Sequence, residues 1–139
     1  MENLIISPTS TTPAIHLSVE DNIYSISGTS RPEDVREIYY PIIEWIQKLT
    51  ENILDGTINK YSAENALIFK TDLIYFNSSS AKFLYDIFME FKRIALSGVA
   101  VSIEWHYEKE DTDMLEAGID MATLAEMEFT CIPKEVNQP

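Results

Sequence analysis

From Ala66 to Phe76 the chain is a nearly unbroken apolar run, and from Ser78 the pattern changes at once to the three-and-four spacing of an amphipathic helix. A buried strand that feeds straight into a helix is the building unit of α/β sheets, so this junction constrains the fold more than any other feature. The helix expected over 78–97 sets Phe83, Leu84, Ile87, Phe88, Phe91, Ile94 and Ala95 on one side, with Lys92 and Arg93 near its end and Gly98 beyond it. The continuous apolar character of the preceding strand predicts cover on both of its faces.

The alternation extends in both directions. Ile15, Leu17 and Val19, a Glu20-Asp21-Asn22 turn, and then Ile23 and Ile26 predict an N-terminal hairpin. Pro32, Glu33 and Asp34 have the form of a helix start, with Ser30 as the expected N-cap. Val35, Ile38, Tyr39, Ile42, Ile46, Leu49 and Ile53 then recur at helical spacing until Asp55-Gly56, and Pro41 within them is expected to kink the helix or remove one hydrogen bond. Val99, Val101, Ile103 and Trp105 alternate as a strand, 111–122 predicts a shorter helix, and Met127 to Ile132 predicts a buried closing strand that carries Cys131. Strand, strand and then three helix–strand pairs predict an α/β fold, a single mixed β-sheet with helices packed on it. One domain is expected over 1–139, ordered over 4–132, with loose polar ends at Ser7 to Pro13 and at 133–139.

Composition narrows what such a domain can do. At 139 residues and 45% hydrophobic content it can bury a core without staples, and its single cysteine, Cys131, has no internal disulfide partner, which fits a reducing compartment. No apolar run approaches the length of a membrane span, and the start, with Glu2 and no basic stretch, is unlike a secretory signal, so a cytoplasmic location is expected. A net charge of −13 would repel both nucleic acid and an anionic membrane, which sets aside both as partners. The acidity serves solubility or an acidic face for a basic protein partner.

Tyr75-Phe76-Asn77-Ser78-Ser79-Ser80-Ala81-Lys82 occupies the junction itself, at the carboxyl end of a strand. If Asn77 caps the helix, the three serines lie in its first turn, where free N–H groups and the positive end of the helix dipole suit an added phosphate. Such a group would change the surface a partner touches without unfolding the domain. Capping alone would explain the same residues. The acids of Glu108-Lys109-Glu110-Asp111-Thr112-Asp113 invite a divalent-metal enzyme as the alternative, but read as a calcium loop they place Leu115 where a third oxygen is needed and lack the central glycine. A solvated turn that complements the next helix accounts for them as well. His16, His106 and Cys131 show no metal-ligand spacing, and no nucleophile elbow, P-loop or dinucleotide fingerprint is present. No catalytic residue, metal or cofactor is expected.

Several segments taken in order carry a family likeness: Thr12-Pro13-Ala14-Ile15, Ile26-Ser27-Gly28, Ser30-Arg31-Pro32-Glu33, Tyr40-Pro41-Ile42-Ile43-Glu44-Trp45, Tyr75 to Lys82, Trp105-His106-Tyr107, and Asp113-Met114-Leu115-Glu116-Ala117-Gly118. Together, over 4–132, they resemble the SiaC family of bacterial regulatory phosphoproteins. The resemblance implies a fold like that of the STAS domains of anti-sigma-factor antagonists, and a place in a partner-switching pathway. In that pathway a Ser/Thr kinase (SiaB-like) modifies the protein, a PP2C-like phosphatase (SiaA-like) reverses this, and the unmodified form activates a diguanylate cyclase (SiaD-like) whose cyclic di-GMP governs aggregation and biofilm formation. The phosphoacceptor implied is the residue after Tyr75-Phe76-Asn77, which is Ser78, with Ser79 and Ser80 as alternatives. Threonine is usual there in the family, so this chain keeps the hydroxyl and loses a methyl. Asn77, Ser78, Ser79 and Lys82 are the expected partner-binding residues, and a constitutive protein-binding scaffold remains the competing non-enzymatic reading.

Overall fold

The computed structural model describes residues 1–135. Its elements run β1 (Leu4–Ile6), β2 (Ala14–Ser18), β3 (Ile23–Ser30), α1 (Val35–Leu54), β4 (Leu67–Phe76), α2 (Ser78–Leu96), β5 (Val101–Glu108), α3 (Thr112–Ala125) and β6 (Phe129–Lys134). All six strands form one sheet in chain order, antiparallel from β1 to β3 and parallel from β3 to β6. This is the expected mixed α/β sheet, including the hairpin, whose turn places Asn22 at φ 57°.

Strand order that never reverses has a direct consequence. Right-handed crossovers laid in one direction put every helix on the same face of the sheet. The contacts agree: Phe69 of β4 stacks on Phe91 of α2 at 4.6 Å, Tyr24 of β3 meets Trp45 of α1 at 6.0 Å, and Trp105 of β5 donates its Nε1–H to the Met114 carbonyl of α3 at 2.9 Å. Gly118 lets α3 lie on that indole, because a Cβ there would stand 2.5 Å from the Trp105 ring. Among the described residues nothing covers the opposite face, with Ile68 46% and Ile74 63% exposed. The expectation that β4 is covered on both faces is therefore corrected. Its apolar run reflects a buried row (Leu67, Phe69, Leu73) interleaved with aliphatic side chains on the open face.

Three other expectations change, and one strand is new. Leu4–Ile6, expected to be ordered but assigned no element, pairs with β2 as an edge strand, and the Trp45 Nε1–H donates to the Glu2 carbonyl at 2.8 Å behind it. Asp34, not Ser30, caps α1, accepting from the Arg36 and Glu37 amides, while Ser30 ends β3 with its side chain fully buried. The closing strand is an edge, so Cys131 is only half-buried, and it continues to Lys134, two residues into the expected tail. Of that tail, 136–139 lie outside the described residues. Pro41 falls within α1 as expected.

Candidate functional site at the start of the second helix

Asn77 makes two bonds, one that caps α2 and one that ties the helix start to the sheet. Its Oδ1 accepts from the Ser80 amide at 3.0 Å, and its own amide donates to the Ser30 carbonyl at 3.0 Å. Ser78, Ser79 and Ser80 are thereby the first three residues of the helix.

Their hydroxyls meet three different environments. Ser80 is 0% exposed, donates to the Ser30 carbonyl at 3.1 Å and lies 2.8 Å from the Ser30 hydroxyl, itself 2.7 Å from the Tyr39 hydroxyl. Burial raises the Tyr39 phenol above its ordinary pKa, with its hydrogen bonds to Ser30 and Ser80 pulling the other way. Tyr39 also stacks on Phe83, the rings 5.7 Å apart. Beneath the helix start, therefore, lies a satisfied hydroxyl cluster that joins β3, α1 and α2, with the Ser80 hydroxyl buried inside it. Ser79 is exposed, but its hydroxyl donates to Asn77 Oδ1 at 3.1 Å. Ser78 is exposed, and among the described residues its hydroxyl has no hydrogen-bond partner.

Lys82 projects from the next turn of the same helix. Its Nζ lies 2.9 Å from Asp86 Oδ2 and 4.8 Å from the Phe83 ring centre, so the nearest cation along the helix is already directed away from the first turn. The charge around the three helix starts is uneven. α1 has Asp34 as cap and Glu37 in its first turn, α3 has Asp111 and Asp113, and α2 has no acid in either place.

Beside Ser78 the sheet splays. β4 stays paired with β3 as far as Phe76 opposite Ser30, but pairs with β5 only as far as Asp72 opposite His106. The gap is a groove of about 420 Å³ lined by Ile74, Tyr75 and Phe76 on one wall and by Asp111, Asp113, Met114 and Ala117 on the other. Tyr75 and Tyr40 are each 50% exposed nearby, Tyr40 standing edge-on to Phe83 at 5.8 Å.

The other residues singled out from the sequence do not converge. His16 is 3.4 Å from Asp21 at the hairpin, His106 is 2.9 Å from Glu104 on the bare face of the sheet, and Cys131 is on β6, its thiol pKa raised by burial. Asp111 uses its Oδ1 to accept from the Met114 amide at 2.9 Å, and among the described residues no three His, Cys, Asp or Glu side chains are placed to hold a metal ion. Sequence reasoning missed Ser30 and Tyr39 as members of the site. The available signal was parity: Ser30 follows Tyr24 and Ile26 on the inward-facing side of β3.

Comparison with known proteins bears on this geometry. The family model described as SiaC family regulatory phosphoprotein matches residues 6–134. An uncharacterized protein of Pseudomonas aeruginosa strain UCBPP-PA14 is 29% identical over 116 residues, 84% of each chain. The crystal structure of apo-SiaC from P. aeruginosa superposes with a TM-score of 0.79 at 25% identity, covering 95% of this chain and 99% of that one. A chain in the crystal structure of the diguanylate cyclase SiaD in complex with its activator SiaC, from the same species, gives 0.81 at 24% identity, covering 94% and 99%, and shows the shared fold. With the family pattern matched along nearly the whole described chain, this protein belongs to the SiaC family of regulatory phosphoproteins.

Proposed function

We propose that the chain is a non-enzymatic cytoplasmic switch that binds and activates a diguanylate cyclase while Ser78 is unmodified, and releases it when Ser78 carries phosphate. A Ser/Thr kinase of SiaB type and a PP2C-like phosphatase of SiaA type set the state of Ser78. Cyclic di-GMP, and through it biofilm formation and aggregation, is the output. The partner named in the SiaD–SiaC complex supports the choice of effector. Among the described residues no helix is long and apolar enough to cross a membrane, which suits exchange between soluble partners.

One observation carries the choice of residue. Ser78 alone of the three hydroxyls is both exposed and unengaged, and it begins the one helix of the three whose start holds no acid. A phosphate there meets free amides and an uncompensated dipole, so the domain tolerates it. The neighbouring surface does not neutralise it, because Lys82 is engaged with Asp86 and the groove wall brings Asp111 and Asp113. Two added charges therefore stay on a surface that also exposes Ile74 and Tyr75, and a partner that covers those apolar groups must strip water from an unpaired phosphate. Ser79 is the weaker acceptor because its hydroxyl is held by the cap.

Intact-mass and peptide analysis of protein taken from its native cells tests this. Phosphate on Ser78, with a Ser78→Ala variant that stays unmodified and binds the cyclase constitutively, is the expected result. Native protein that never carries phosphate at 78–80, or equal cyclase affinity for Ser78→Ala and Ser78→Asp, would return the chain to a constitutive scaffold.

A further inference from the structure

The groove beside Ser78 has a chemistry of its own. Its walls are largely apolar, with Phe76 on one side and Met114 and Ala117 on the other, and the α3 side also carries two carboxylates. Asp111 has one oxygen committed to its cap, and Asp113, exposed in the first turn of α3, has no salt-bridge or hydrogen-bond partner among the described residues. The volume, about 420 Å³, exceeds that of any single side chain, and the groove opens because β4 outruns its pairing with β5.

We infer that this groove is the seat of an arginine side chain presented by the docking partner. Arginine suits it on three counts. Its methylene stem can lie on Met114 and Ala117, its planar fork can engage a carboxylate with two parallel hydrogen bonds, and its face can stack on an aromatic wall such as Phe76. Lysine offers a point charge without the fork or the stacking, and a purely apolar side chain would strip water from Asp113 with nothing in return. The net charge of −13 adds long-range attraction for a basic segment. This inference deepens the proposed docking at Ser78, and it makes the switch act at contact range. A phosphate adds to the attraction during approach, so release must come from faster dissociation.

The test uses the chain without partner or phosphate. Amide chemical shifts are followed as N-acetyl-arginine methylamide is titrated in, against N-acetyl-citrulline methylamide, which has the same shape and no charge. Saturable shifts centred on Ile74, Tyr75, Phe76, Met114 and Ala117 are expected with the arginine derivative, with a response to the citrulline derivative at least about fivefold weaker. The exposed substitution Asp113→Asn should weaken arginine binding by a similar factor while leaving the fold intact. Shifts spread over the acidic surface without saturation, an equal response to citrulline, or no change with Asp113→Asn would overturn the assignment. Since no step involves phosphate, saturable arginine binding by a chain that native cells never phosphorylate at 78–80 would refute the switch alone, and an inert groove in a chain that native cells do phosphorylate at Ser78 would refute the arginine seat alone.

Discussion

The amino ends of α2 and α3 face the same backbone problem at the same edge of the sheet and answer it with opposite charge. α3 satisfies its first turn with Asp111 and adds Asp113, so its dipole is balanced by fixed carboxylates. α2 uses a neutral Asn77 and three serines, and among the described residues no acid stands at its cap or in its first turn to balance its positive end. A helix start with permanent acids has its dipole balanced by the fold itself, whereas one capped only by neutral groups can take a charge that comes and goes. The two ends differ in depth as well. α2 sends its third serine into a hydroxyl cluster under the sheet edge, and α3 anchors itself farther along, where Gly118 lies on Trp105.

The largest effect should come from confusing the two levels of the α2 start. Ser80→Asp places a carboxylate against Ser30 and Tyr39 with no cation to pair it, which should cost about 3–5 kcal/mol in urea denaturation. Ser78→Asp, two residues earlier, should cost nothing. Equal costs would mean that the first turn of α2 is not layered as described. In α3, Gly118→Ala drives a methyl into the Trp105 indole and should cost about 1–3 kcal/mol, with Trp105 fluorescence changing in step. Removing either cap is smaller. Asp111→Ala and Asn77→Ala should each lose about 1 kcal/mol. The smallest effect sharpens the comparison most, since Asn77→Asp, which gives α2 the kind of cap α3 already has, should stabilise by about 0.3–1 kcal/mol at low salt and lose that gain as salt rises. A destabilised Asn77→Asp would show that the α2 dipole is already compensated.

How much of this could be read from residues alone follows the range of the interaction that decides each point. The Leu67–Phe76 strand, the α2 helix and the Asn77 cap were legible because adjacent residues determine them. The bare face of the sheet was not. Ile68, Ile74 and Tyr75 are apolar whether or not a helix covers them, and only the unreversed strand order leaves them open. Ser30 was misjudged for a similar reason. It precedes a proline and two acids as an N-cap often does, but it belongs to the inward row of β3, and the hydroxyl that meets it comes from Ser80, fifty residues later. The same distance in sequence hid the burial of Ser80, which made three adjacent serines look interchangeable. Leu4–Ile6 is too short to show a period, and its place is set by pairing with β2.

The most direct measurement is the kinetics of diguanylate cyclase binding to full-length chain with phosphoserine installed at position 78, compared with the unmodified chain. Dissociation should be at least about tenfold faster in the phosphorylated protein, with association no slower and thermal stability no lower. Unchanged dissociation, or a phosphorylated domain that melts earlier and binds poorly for that reason, would contradict a switch that acts on the docking surface of an intact fold.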